Sequence, residues 1–307
     1  MDNQGKIGIV RRALIGLGAL GVDDVWLMPD TNFLGERAVE GLRERPLPRV
    51  KILEMPVTGQ PQDSERAAHL LREAGAGCII TLGGDGTVRM AAKGAGEVPL
   101  LPISTGTNNV LPSFVEGTIA GLAAGAVAKG MVELATVAVR HKWLEVWYNG
   151  QPRECALVDI AALAGQFVGA RAVWNVEDLR QVIVTRAHPA NMGMSAIVGG
   201  VRPIAVEEPV GVALTLDGAS PWRVLAAVGP GLVRRVGIAS LEVIAPGKGV
   251  EIIAERPLLL AFDGERELTL RQGDTAAVVL RTDGPWIVDA WRVMQALVAK
   301  GFLQQGS

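Results

Sequence analysis

The run Thr-Leu-Gly-Gly-Asp-Gly-Thr at 81–87 sets three glycines around one carboxylate, directly after an apolar stretch and directly before a helical pattern. Glycines let a backbone approach an anion closely, and the free N–H groups of a helix's first turn point at whatever is bound there. Gly83, Gly84, Gly86 and Thr87 therefore have the makings of a phosphate cradle. Asp85 does not belong in that cradle, because a carboxylate repels phosphate. Its chemistry is to accept a proton from an attacking hydroxyl, or to hold a magnesium ion that bridges phosphates. Phosphoryl transfer uses both parts, a held donor and a prepared acceptor. The plain alternative is a tight strand-to-helix turn with an exposed aspartate.

A second polar loop, Thr105-Gly106-Thr107-Asn108-Asn109, follows the next apolar run at 98–104. Its hydroxyls and amides suit sugar or phosphate oxygens. Consecutive parallel strands bring the loops at their carboxyl ends to one sheet edge, so the two loops are expected together. Further along, Asp159 stands inside an apolar strand, where burial is costly unless the carboxylate is paired. Asp263 and Glu265 flank Gly264 in a turn-like Phe-Asp-Gly-Glu. Trp174, beside Arg171, is a candidate acceptor contact.

The elements that must position these residues fall into two patterns. Up to about residue 131, helical and strand periods alternate. Ile7, Val10, Leu14 and Leu17 recur at helical spacing, 25–29 and 49–57 read as strands, and 63–75 reads as a helix with Asp63 as cap. Thr31 is the expected cap of the helix that follows the first strand. Such alternation predicts a doubly wound, mostly parallel α/β sheet over 1–131. From 132 to 284 the pattern becomes short strands with turns between them, including Asn149-Gly150 and Asp217-Gly218, which predicts an antiparallel β-sandwich. Residues 285–307 return to helical period and are expected to pack back on the first domain as a helix.

Composition narrows the function. An apolar share of 49% against 20% charged residues describes a globular chain, and its 307 residues allow two domains. A net charge of -2 carries no basic excess, which argues against nucleic acid as a partner. The apolar runs are too short and broken to cross a membrane, and the first residues lack signal-peptide order, so a cytoplasmic protein is expected. Cys78 and Cys155 sit in strand-like runs, as core thiols of a reducing compartment would. The three histidines show no metal-ligand spacing. Gly-Leu-Gly-Ala-Leu-Gly at 16–21 fits a dinucleotide fingerprint in spelling only. It closes a helical stripe instead of following a strand.

Gly-Gly-Asp-Gly-Thr, a Gly-Thr-Asn-Asn loop some twenty residues later and a late Asp-Gly-Glu, in that order, resemble the superfamily of NAD kinases and diacylglycerol kinases. The wording at 9–22, 104–110, 167–174 and 195–200 looks closest to its AcoX branch, ATP-NAD-kinase-like proteins linked to acetoin catabolism. The resemblance implies ATP and Mg2+ as cofactors, with Asp85 as base or metal-linked carboxylate. It implies that Gly83, Gly84, Gly86, Thr87, Thr105, Gly106 and Thr107 bind the nucleotide, and that Asn108, Asn109, Asp159, Ser195, Asp263 and Glu265 serve the acceptor. Two departures fall on the acceptor side. Val158-Asp159 keeps the carboxylate of an Asn-acidic pair but not the amide, and a Thr-rich segment is reduced to 191–200. NAD thus stands as one acceptor among several small hydroxyl compounds. A strand that usually opens the superfamily's first domain is not found ahead of the first helix.

Three readings stay open at this point: a kinase moving the γ-phosphate of ATP to a hydroxyl, a non-catalytic nucleotide or NAD(H)-binding regulator on the same scaffold, and a dehydrogenase using 16–21. The expected partners are a small-molecule acceptor and a second copy, as a homodimer through the sandwich, with no nucleic acid and no membrane.

Overall fold

A computed structural model describes residues 1–40, 42, 46–106, 108–164 and 176–304. The chain divides into two compact units: Met1–Gly106, Leu111–Arg140 and Pro285–Ser307 form the first, Thr107–Val110 and His141–Gly284 the second.

Unit 1 begins with α1 (Asn3–Ala19), β1 (Asp24–Leu27), α2 (Leu34–Val39), β2 (Arg49–Ile52), α3 (Gln62–Glu73), β3 (Ile79–Gly83), α4 (Asp85–Ala95), β4 (Leu100–Ser104), α5 (Gly117–Ala128), α6 (Leu134–Val137) and β5 (Ala138–Arg140). Ile7, Leu14 and Leu17 of α1 are buried as their spacing predicts. The glycines at 16–21 belong to that helix and its end. A Cβ on Gly16 would lie 2.3 Å from the Thr118 carbonyl, and one on Gly121 of α5 would lie 2.2 Å from that of Ala13. Glycine is required because the two backbones touch, so no dinucleotide loop is built there.

Two expected caps are placed differently. Phe33, not Thr31, precedes α2, and Asp30 takes the N–H groups of Asn32 and Leu34. Asp63 lies one residue inside α3 and binds the preceding turn, accepting from the Thr58 and Gly59 N–H groups and the Thr58 hydroxyl, each at 2.8 Å. Those three bonds and Arg66 hold its carboxyl below the usual range against the opposing effect of burial.

Unit 2 comprises β6 (Trp143–Tyr148), β7 (Gln151–Ala156), β8 (Asp159–Ala164), β9 (Leu179–Val184), α7 (Met194–Gly199), β10 (Gly211–Leu216), β11 (Arg223–Gly229), β12 (Leu232–Ile244), β13 (Gly249–Ile253), β14 (Leu258–Phe262), β15 (Glu265–Leu270) and β16 (Thr275–Arg281). Seven strands in the order β11-β12-β10-β9-β8-β14-β15 and four in the order β13-β16-β6-β7 form two antiparallel sheets. Ile160, Ala162, Ile183, Leu260 and Phe262 of the larger sheet pack with Leu144, Val146, Ile252, Val278 and Leu280 of the smaller. The large sheet's other face carries Ala161, Leu163, Val182 and Val212 against Ala196, Ile197 and Val198 of α7. β8 is therefore buried along its whole length, which explains the apolar run Ile160–Ala164.

The chain ends in unit 1 with β17 (Trp286–Val288) and α8 (Ala290–Ala299). This corrects the expectation of a helix from residue 285. Trp286–Val288 pairs parallel to β4 and antiparallel to β5, and Asp289 then caps α8 by accepting from Trp291 and Arg292. The bulky Trp-Ile-Val triplet suits a sheet, and the aspartate marks where the helix starts. Unit 1 thus holds two sheets, β1-β2 and β3-β4-β17-β5, parallel except for β5. β1 and β3 face an apolar cavity of about 410 Å³ floored by Val10, Leu14 and Leu17 of α1.

One carboxylate staples unit 2. Asp263 and Gly264 both take left-handed backbone, with φ of 49° and 84°, in the two-residue turn between β14 and β15. From there the Asp263 carboxylate accepts the N–H groups of Leu157 at 2.8 Å, Val158 at 2.7 Å and Asp159 at 3.0 Å, while its own N–H donates to the Asp159 carbonyl at 3.0 Å. Removing that acceptor strands three buried donors. Asp263→Ala should therefore cost on the order of 3 kcal/mol in urea unfolding, far more than a substitution at an exposed turn.

His141, buried at the start of unit 2, donates from Nδ1 to the Lys142 carbonyl at 2.8 Å. Burial, opposed by that bond and aided by the Arg186 and Lys142 charges, pushes its pKa down from 6.5 to about 4. The folded value lies below the unfolded one, so this stability is fully present above pH 6.5 and is lost as pH falls toward 4. The shift corresponds to about 3 kcal/mol. Denaturant unfolding of His141→Gln should show a smaller loss between pH 6.5 and 4 than the parent chain by about that amount.

Candidate functional site

β3 delivers the first loop at its carboxyl end. Gly83 is its last residue, and a Cβ there would stand 2.2 Å from the Thr87 hydroxyl. The threonine side chain folds back over the glycine and closes the turn, so Gly83 is dictated by contact as much as by any ligand. Gly84 is the cap of α4, in extended backbone and with no side-chain cap bond. Asp85 opens the helix and is only 8% exposed. The first ladder bond runs from Val88 N–H to the Gly84 carbonyl. The earlier N–H groups of this turn, those of Asp85, Gly86 and Thr87, lie at the helix's positive end, and the cap residue Gly84 has no side chain to occupy them. That is the donor set an anion needs.

The second loop is fastened to the first at both its ends within unit 1. Thr105 N–H donates to the Gly83 carbonyl at 3.2 Å, and Leu111 N–H donates to Asp85 Oδ1 at 2.8 Å. Ser104 adds a bond from its hydroxyl to the Gly106 carbonyl, and its N–H reaches the Ser113 carbonyl. The sheet edge therefore brings together Gly83, Gly84, Asp85, Gly86, Thr87, Thr105 and Gly106. Thr107 lies outside the described residues, as do Arg171 and Trp174.

The remaining candidates belong to unit 2. Asn108 is exposed, and its Oδ1 lies beside Gly193, where a Cβ would be 3.7 Å away. Asn109 is half-buried. Gly193, at φ 89°, leads into α7, whose second residue is Ser195. Ser195 is wholly buried and its hydroxyl accepts from Asn191 Nδ2 at 3.2 Å. Asp159 and Asp263 are joined by the backbone staple, and Glu265 follows as the first residue of β15, paired with Phe262. Asp263 thus spends its carboxylate on three backbone amides, and those amides fix where Asp159 sits.

Two parts of the site escaped the sequence reading. One is the Leu111 amide, which no side-chain pattern marks. The other is Arg89, wholly buried on α4 one turn after Asp85 and hence on the same helix face. A cation inside the apolar run Val88–Ala92 was the available signal. No group of three or more His, Cys, Asp or Glu among the described residues could hold a metal by itself. Magnesium fits here only as a companion of bound phosphates, with Asp85 as the one carboxylate of the loop. No described helix is long and apolar enough to cross a membrane.

Residues 31–131 match the ATP-NAD kinase N-terminal domain, and 142–283 match the C-terminal domain of acetoin catabolism protein X. Acetoin catabolism protein X of Cupriavidus necator is 36% identical over 286 residues, spanning 90% of this chain and 79% of that protein. Yeast NADH kinase, in a crystal structure with NADH, superposes with a TM-score of 0.55 over 97% of this chain and 85% of that one, at 14% identity, a likeness of fold. With both halves of the chain and its loops in agreement, the protein belongs to the acetoin catabolism protein X family, a branch of the NAD kinase-like superfamily.

Proposed function

We propose that the chain is an ATP-dependent phosphotransferase that moves the γ-phosphate to a hydroxyl of NAD or of a small molecule, and that it serves acetoin catabolism in the cytoplasm, as a homodimer. The observation that carries this reading is the glycine-led N-terminus of α4 at the carboxyl end of β3, with Asp85 as its first residue. ATP would bind as its magnesium complex, phosphates toward Gly83, Gly84, Gly86 and Thr87, with Thr105, Gly106 and Thr107 alongside. The acceptor oxygen attacks the γ-phosphorus, the bond to the ADP oxygen breaks, and the hydroxyl proton passes to Asp85. Asn108, Asn109, Asp159, Ser195, Asp263 and Glu265 would serve the acceptor side, with Asp263 acting through the position of Asp159.

A second reading, a nucleotide or NAD(H)-binding regulator, draws support from Ser195. Its hydroxyl is buried in α7 and engaged by Asn191 instead of being offered to a ligand.

Phosphate transfer from ATP-Mg to a panel of NAD, NADH, acetoin and related hydroxy compounds separates the two. The kinase reading expects one acceptor to be phosphorylated, with Asp85→Asn reducing turnover about 10²–10⁴-fold while the variant unfolds cooperatively. Binding of ATP or NAD without transfer to any acceptor would leave the regulator in its place.

A further inference from the structure

A cavity of about 480 Å³ in unit 2 gathers four arginines from three strands: Arg180 of β9, Arg223 of β11, and Arg234 and Arg235 of β12. One carboxylate, Glu177, lines it with them. The four guanidinium groups make no ion pair among the described residues. Their bonds go to backbone carbonyls instead: Arg180 to Glu177 and Leu179, Arg223 to Gly218 and Ser220, Arg234 to Val233. Several arginines elsewhere in the chain are paired with acids, as in Arg49–Asp24, Arg66–Asp63, Arg140–Glu97, Arg202–Glu208 and Arg281–Asp283.

Four like charges around one concavity repel each other, and they do so in a protein whose net charge is -2. Apolar side chains form part of the wall, with Leu179 and Val236 buried and Leu216 nearly so. Such a wall lowers the local dielectric and strengthens both the repulsion and the attraction for an anion. A carbonyl bond occupies one or two of a guanidinium's five donors, so each arginine keeps N–H groups to offer. Guanidinium forks match the oxygens of a phosphate group, and several of them lining one cavity favour a ligand with more than one negative charge.

We infer that this cavity is a binding site for a phosphate-bearing small molecule, whether or not the α4 loop transfers phosphate. All four arginines lie in unit 2, and the α4 loop lies in unit 1. Arg234 and Arg235 are exposed, so truncating them leaves the buried core intact.

Isothermal titration of the full chain with pyrophosphate tests the site, with citrate as a carboxylate comparison and Arg234→Ala/Arg235→Ala as the variant. The expected result is saturable pyrophosphate binding that weakens with added salt, falls at least 10-fold in the double variant and exceeds citrate binding. Arg223→Ala, on the neighbouring strand, should weaken it as well. Pyrophosphate affinity unchanged in the double variant would place the anion elsewhere and overturn the inference. No saturable binding would also overturn it, and equal binding of citrate would overturn the phosphate assignment.

Discussion

The bond from Leu111 N–H to Asp85 Oδ1 is the contact on which the candidate site rests. It ties the residue that opens α4 to the far end of the second loop, while Thr105 N–H ties the near end to Gly83. The ends of the second loop are thereby held to the first at the carboxyl edge of β3 and β4. The bond also fixes the carboxylate. An aspartate at a helix's first residue could turn back and cap its own amides, or stay in water. Here one oxygen of Asp85 accepts from the Leu111 amide, across to the second loop.

The same economy of close contact shapes the rest of unit 1. Gly83 admits Thr87, Gly16 and Gly121 let α1 and α5 meet backbone to backbone, and a Cβ on Gly94 would stand 2.1 Å from the Glu65 carbonyl between α4 and α3. These helices are packed by what their glycines lack. The sheet is looser where β1 and β3 face a cavity instead of each other. The side chains of Ile80 and Leu82 stay partly exposed there, whereas β4, flanked on both sides, is buried throughout.

Both sheet classes and the first loop were legible in the sequence, because period and glycine placement are local signals. The Asn149-Gly150 turn was legible for the same reason: both residues take positive φ. What was not legible depends on partners distant in the chain. Trp286–Val288 reads as helix beside the periodic residues after it, and becomes a strand because β4 and β5 leave a space between them. Asp263 reads as a turn residue or an acceptor ligand, yet its partners lie 104 to 106 residues earlier and are backbone amides, which no alphabet of side chains records. Ser195 is spelled like a ligand and packed like a core residue.

Charge decides what form an anion at α4 must take. A helix N-terminus favours a negative group by about 0.3–1 kcal/mol, and by roughly 2 in sheltered geometry. A second negative charge at 4 Å, at an effective dielectric of 20, opposes it by about 4 kcal/mol. The helix end alone therefore does not offset Asp85, and the buried Arg89 one turn along the same face supplies positive charge against it. A divalent ion bound to the phosphates themselves would add to that positive charge. Such an ion arrives with the ligand and turns the carboxylate from an obstacle into an attraction, so the proposed kinase reading calls for ATP with magnesium and not for free ATP.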